Sequence, residues 1–305
     1  MCFGMMVYIA SNLNTKRMKS LREVIAQAEE QKVAVGHFNV SDSSQLWGIF
    51  RAAQKLDLPV VIGASEGERD FIGPRQLVAI VQSIREEFDY PIYTNADHTY
   101  SFERVKEAID LGFDAVIYDG NKVSHEENLA ITKQCVEYAR AQDRDVLVEA
   151  ELGNIGMSSK LLDSIPEGAE ITEEMLTLPE ELASFVSQTG VDLIAPAVGN
   201  LHGMMKTGSN PKLNIERIAA LRVAGGVPMV LHGGSGISDE DFVAAIQVGI
   251  GMVHINTEIR KAYRDGIVTY LAEHPDEIAP YRYIMAGREA LESVVDARLR
   301  LFTQK

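Results

Sequence analysis

The chain has 305 residues, 46% hydrophobic and 24% charged, with 24 Gly, 10 Pro and 2 Cys. This ordinary globular composition excludes a collagen-like, low-complexity or disulfide-stapled protein. A formal net charge of -15 and a pI near 4.9 argue against nonspecific nucleic-acid binding and against attraction to anionic membranes, though a local basic pocket for a phosphorylated ligand remains compatible.

No run reaches the roughly 18 apolar residues of a membrane span. The opening MCFGMMVYIASNLNTKR lacks a small-residue cleavage pattern and does not read as a signal peptide. Cys2 and Cys135 form neither a disulfide framework nor a metal spacing, which favours a reducing, cytoplasmic setting.

In chain order, a helix is expected near 17–30, followed by short Val- and Ile-rich runs that alternate with helical stretches. The strand candidates are VAVGHFNV (33–40), PVVIGAS (59–65), PIYTNADH (91–98), AVIYDG (115–120), VLVEAEL (146–152), DLIAPAVG (192–199), PMVLHGG (228–234) and VHINTE (253–258). They are nearly continuous apolar runs, as parallel strands covered by helices require. Between them, SSQLWGIFRAAQKL, PRQLVAIVQSIREEF and SFERVKEAIDLG place apolar residues three and four apart. Ser101 and Ser238 stand where helix N-caps are wanted, and Gly112 and Gly190 where left-handed C-caps are wanted. Eight such units in about 250 residues predict an α/β protein, a (β/α)8 TIM barrel, with extra N- and C-terminal helices near 17–30 and 286–302. A doubly wound open sheet is the rival. No linker or repeat interrupts the pattern, so residues 1–305 are expected to form one domain. Residues 153–171 make an unusually long connection after the fifth strand, suited either to a lid or to a solvated insertion.

Function in such a barrel sits at the C-terminal ends of the strands. Three of the seven histidines fall there: His98 after the third run, His202 after the sixth and His232 after the seventh. A lone His is more often a hydrogen-bonded structural residue, but three at one barrel mouth suit a divalent metal acting as a Lewis acid. Glu149 and Glu151 share one face of the fifth strand, where they offer a carboxylate ligand or an orienting partner. Asp97 precedes His98 and is a candidate proton donor, or alternatively a helix cap. A second cluster suits phosphate: Gly233, Gly234 and Ser235 after the seventh run, and Asn256 and Thr257 after the eighth, both before helices. Lys206 could add a point charge. A Schiff-base alternative lacks a lysine within a strand.

On these motifs, the chain resembles the class II, zinc-dependent ketose-bisphosphate aldolases, the fructose-bisphosphate and tagatose-bisphosphate aldolases. The matching pieces run from about 18 to 303 and include VGHFNVSD, ADHTYSFERVKEAIDLGFDAVIYDG, VEAELG, DLIAPAVGNLHG, VLHGGSGISDED and NTEIRKAY. The resemblance implies zinc ligands at His98, His202 and His232, with Glu151 contacting the metal when it shifts, and a proton donor at Asp97. It implies dihydroxyacetone-phosphate contacts at Gly203, Gly233, Gly234, Ser235, Asn256 and Thr257, with Lys206 nearby, and substrate-side positions at Asn39 and Ser65. It further implies a monovalent cation such as Na+ or K+, and a homodimer or homotetramer.

The chain departs from the family pattern in three places. Asn95-Ala96 precede Asp97 where His-Leu is usual, His254 stands where the family has Asn, and the 153–171 loop lacks the family's paired acids, leaving Asp163 or Glu167 as possible substitutes. The expected reaction is reversible aldol cleavage of fructose 1,6-bisphosphate to dihydroxyacetone phosphate and glyceraldehyde 3-phosphate. The alternatives are the same chemistry on tagatose 1,6-bisphosphate or another phosphorylated ketose, and a noncatalytic sugar-phosphate-binding barrel.

Overall fold

The computed structural model describes residues 18–153, 155, 161–163, 173–206 and 210–305. Eight parallel strands close into a barrel: β1 (Val35–Asn39), β2 (Val60–Ala64), β3 (Ile92–Thr99), β4 (Ala115–Tyr118), β5 (Leu147–Leu152), β6 (Leu193–Pro196), β7 (Met229–Leu231) and β8 (Ile250–Ile255). Closure is direct, because β1 pairs with both β2 and β8, and it removes the open-sheet rival. The helices are α1 (Leu21–Glu30), α2 (Ser43–Leu56), α3 (Glu66–Ile72), α4 (Pro74–Phe88), α5 (Phe102–Leu111), α6 (His125–Arg140), α7 (Pro179–Thr189), α8 (Ile215–Gly225), α9 (Asp239–Gln247), α10 (Thr257–Glu273) and α11 (Pro280–Thr303). No helix among the described residues is long and apolar enough to cross a membrane.

Local chemistry sets the helix ends. Ser101 and Ser238 cap α5 and α9 by accepting from the backbone N–H three residues on, while Gly112 and Gly190 adopt the left-handed conformation that ends α5 and α7. The extra helices expected at the two ends are α1 and α11, the second longer than 286–302. One helix, α3, was not legible: its seven residues are too few for a periodic signal. The eighth strand runs from Ile250 to Ile255 rather than over 253–258: Ile250 and Met252 continue its buried apolar run across Gly251, and Asn256 already takes the N-cap position of the next helix.

Two apolar layers hold the molecule. The larger packs the strands' outer faces against the helices, with Phe38, Ile62, Val116, Phe185, Leu231 and Phe242 fully buried. The smaller fills the lower lumen, where Val35, Val61, Tyr93, Leu147, Val230 and Met252 meet Leu21, Val24 and Ile25 of α1, which plugs the floor. Each fully buried side chain of this kind contributes about 1.5–3 kcal/mol.

Because side chains alternate across a strand, the lumen residue two positions further on lies one layer higher. The sequence there turns polar: Val35 gives way to His37 and Asn39, Tyr93 to Asn95 and Asp97, Leu147 to Glu149 and Glu151, and Met252 to His254 and Asn256. The barrel thus has an apolar floor and a polar mouth. Gly63 makes room in the middle layer, where a Cβ would strike the His37 ring and Asn39. Replacing Gly63 with Ala is expected to cost about 1–3 kcal/mol by overpacking, measured as a lowered denaturation midpoint in guanidinium.

Candidate active site

The mouth holds a cavity of about 250 Å3, and the residues singled out from the sequence converge on it. Asn39, Ser65, Asp97, His98, His202, Gly203, His232, Gly233, Gly234, Ser235, Asn256 and Thr257 all line it. Glu151 lies fully buried behind His232. Lys206 is not among the lining residues; its ammonium is paired with Asp163, 2.8 Å from Oδ1. The 153–171 connection lies mostly outside the described residues, Glu167 included, and so do residues 1–17. Described parts of that connection form a two-residue strand, Leu161–Leu162, parallel to Met204–Met205.

One potential ion site stands out by composition. Ligand atoms of His98, Glu151, His202 and His232 lie within 4.8 Å of one another. The rings are mutually close, with centroids 4.8 Å apart for His98 and His202, 5.0 Å for His98 and His232, and 5.8 Å for His202 and His232. Three imidazoles and a carboxylate are a donor set suited to a borderline-soft divalent ion.

Carboxylates orient the rings from behind. His232 Nε2 is 2.7 Å from Glu149 Oε1 and its Nδ1 is 3.0 Å from Glu151 Oε2. His98 Nδ1 is 2.9 Å from Asp119 Oδ2, and Asn121 donates to Glu151 Oε1. Burial opposes charge on His98, His232, Glu149 and Glu151, yet the acids outweigh it at His98, whose pKa is pushed up to about 9 by Asp97 and Asp119. Burial likewise opposes ionisation of Glu151, but His232, His202 and His98 hold it down at about 2. The cluster therefore gathers positive charge around Glu151, a demand that protons or a cation can meet.

Asp97 sits at the edge of this cluster. Asn39 Nδ2 donates to its Oδ2 over 2.8 Å, and His254 Nδ1 lies 3.6 Å from its Oδ1. Burial would raise its pKa, but His98, His254 and His37 hold the carboxyl well below the usual range. His254 is the register partner of His37 on the neighbouring strand, so the two rings stack at 3.4 Å and 5°. His254 also stacks on His232 at 4.3 Å, and its Nε2 is buried with no hydrogen-bond partner.

On the other wall, Gly233 adopts φ 62° and passes so close to the Leu201–His202 backbone that a Cβ would overlap it. Asn210 Nδ2 donates to the carbonyls of Gly203 and Ser235, tying the two glycine loops together. Ser235 Oγ accepts from the Glu258 N–H in the first turn of α10. The glycine loops and the N-terminus of α10 therefore border one corner of the cavity, an arrangement suited to phosphate.

The sequence of the whole chain agrees with this geometry. Residues 19–305 match the family model described as "Fructose-bisphosphate aldolase class-II".

The chain belongs to the class II fructose-bisphosphate aldolase family.

A fructose-bisphosphate aldolase of Geobacillus stearothermophilus is 36% identical over 286 residues, which cover 93% of this chain and 96% of the relative. One of Staphylococcus epidermidis is 35% identical over the same lengths. Among solved structures, the YdjI aldolase of Escherichia coli K12 superposes with a TM-score of 0.79 at 29% identity, covering 94% of this chain and 97% of that one. Class II aldolases are metal-dependent lyases, and the His98, Glu151, His202 and His232 cluster fits that requirement.

Several residues that line or support the site escaped the sequence reading. Tyr100 and Arg260 line the cavity, and Glu68 joins Arg260 to Asn39 by accepting from both. Asp119 at the end of β4 occupied a position where a strand end signals function, so it was findable; Asn210 lies in a loop with no such signal. Removing the acid behind His232 tests the arrangement: Glu149→Ala is expected to weaken metal binding about 10- to 100-fold, measured by competition with a chromophoric chelator.

Proposed function

We propose that the chain is a zinc-dependent aldolase that reversibly cleaves fructose 1,6-bisphosphate to dihydroxyacetone phosphate and glyceraldehyde 3-phosphate. The observation that carries this reading is the meeting of His98, Glu151, His202 and His232 beside Asp97, with glycine-rich loops facing the same 250 Å3 cavity. His98, His202 and His232 would hold the zinc, with Glu151 as a further ligand. When bound, zinc supplies Lewis acidity at the C2 carbonyl, which takes up the electron pair released as C3–C4 breaks.

The chain's own groups do the rest. The Gly203 and Gly233–Ser235 loops, with Asn256 and Thr257 at the start of α10, bind one phosphate, the Gly234 N–H being already given to the His254 carbonyl. Asp97 is held ionised by its neighbouring rings and oriented by Asn39, and it takes the proton of the C4 hydroxyl as the aldehyde departs. In the synthetic direction it returns that proton. Arg260 is a cationic wall of the cavity and suits the second phosphate, with Ser65 beside it. A monovalent cation near the phosphate loops, a homodimer or homotetramer and a cytoplasmic location accompany this reading, as does function as one domain. Lys206, paired with Asp163, would reach phosphate only after that pair opens.

His254 is the observation that keeps a second ketose in play. It replaces a smaller residue of the family pattern and presents an unpartnered nitrogen inside the site, which bears on discrimination at C4. The enzyme is therefore to be assayed on fructose and tagatose 1,6-bisphosphates side by side. Cleavage is expected with fructose 1,6-bisphosphate, to disappear on chelation and to return with zinc. Asp97→Ala is expected to lower kcat by about 10²- to 10⁴-fold. Chelator-resistant cleavage, or an adduct trapped by borohydride, would contradict the mechanism, and a strong preference for tagatose would reassign the substrate.

A further inference from the structure

Asp97 and His98 are adjacent in β3, and alternation should send one into the lumen and the other away from it. Both line the cavity. The backbone explains how: His98 has φ 37°, in the left-handed region. The other non-glycine residues with positive φ, Lys32, Asp57, Asp89 and Gln304, lie at helix C-termini, where that conformation is common. His98 adopts it within a strand, and the pairing of β3 with β4 shifts register between Ala96 and Thr99. Such a conformation persists only where the surroundings impose it.

The short helix α3 supplies that surrounding. Arg69 is 2% exposed. Its Nη1 donates to the carbonyl of Asp97 over 2.9 Å and to that of Ala64 at the end of β2 over 2.6 Å. Its Nη2 donates to Thr99 Oγ1 over 3.0 Å. The guanidinium thus grips β3 on both sides of His98, and Glu66 of the same helix accepts from the Tyr100 N–H over 2.9 Å. These hydrogen-bond partners of Arg69 are carbonyls and a hydroxyl, while the carboxylates of Asp97, Glu66 and Asp70 offset its buried charge through space. The planar fork holds three acceptors from two nitrogens fixed in one plane, a geometry that a single ammonium nitrogen does not reproduce.

We propose that Arg69 is a positioning residue of the metal site: it enforces the left-handed turn at His98 that brings this ring and the Asp97 carboxylate into one cavity. The proposal rests on the reading of His98 as a metal ligand.

Zinc affinity tests it, measured by chelator competition on the full chain at a temperature where circular dichroism shows each variant folded. Arg69→Lys and Arg69→Met are expected to bind zinc about 10-fold or more weakly than the parent chain, as removal of an outer-shell partner does, with an altered visible spectrum of the cobalt-loaded protein. Thr99→Val removes one acceptor and leaves the core shape, so it is expected to show a smaller loss in the same direction and serves if Arg69→Met does not fold. Folded Arg69→Lys and Thr99→Val proteins with the affinity and cobalt spectrum of the parent chain would overturn the proposal. A parent chain that binds no zinc would instead overturn the underlying ligand assignment.

Discussion

Glu149 and Glu151 are fully buried on one face of β5, and each lies against a nitrogen of His232. Two carboxylates cannot be taken out of water so close together without compensating positive charge and hydrogen bonds. His232 answers both, His98 and His202 crowd in beside it, and Asp119 and Asn121 complete the shell. The composition of the barrel mouth follows from this balance. Removing His232 would leave both buried carboxylates short of a partner, and the same balance makes the cluster a place where a divalent ion can replace protons.

The closed barrel delivers these groups through a simple rule. Alternation sends every second residue of each strand into the lumen, and strand tilt makes register partners climb from strand to strand, as His37 beside Val61 and Glu149 beside Leu193 do, so a change from apolar to polar along the strands becomes a layered interior. Val35, His37 and Asn39 on β1 run in step with Met252, His254 and Asn256 on β8. The stacked pair of His37 and His254 is a direct product of that register. At the floor the same rule leaves an apolar face, and α1 covers it.

The strands, the two terminal helices and the barrel class were legible because long apolar runs and 3.6-residue periodicity depend only on local sequence. The three histidines, Asp97 and the glycine turns were legible because they stand at strand ends. What sequence could not reveal depends on contacts between distant segments. The side-by-side presentation of Asp97 and His98 needs a backbone turn that strand alternation argues against, and its support comes from Arg69, a residue in a helix too short to give a signal. Arg260 sits one turn into α10 and lines the cavity where its guanidinium meets Glu68 of α3, a contact 192 residues apart in the chain. Lys206 illustrates the converse: its spacing from His202 suggested a phosphate contact, whereas Asp163 holds it on an exposed two-stranded ribbon.

X-ray absorption at the zinc edge of the loaded protein tests the central claim most directly, namely that imidazoles from three strand ends share one ion. The account predicts a first shell of nitrogen and oxygen at about 2.0–2.1 Å, with the outer-shell scattering of three imidazole rings, and loss of one ring's contribution in each of His98→Ala, His202→Ala and His232→Ala. A shell containing sulfur, or a three-ring pattern unchanged by those substitutions, would contradict it.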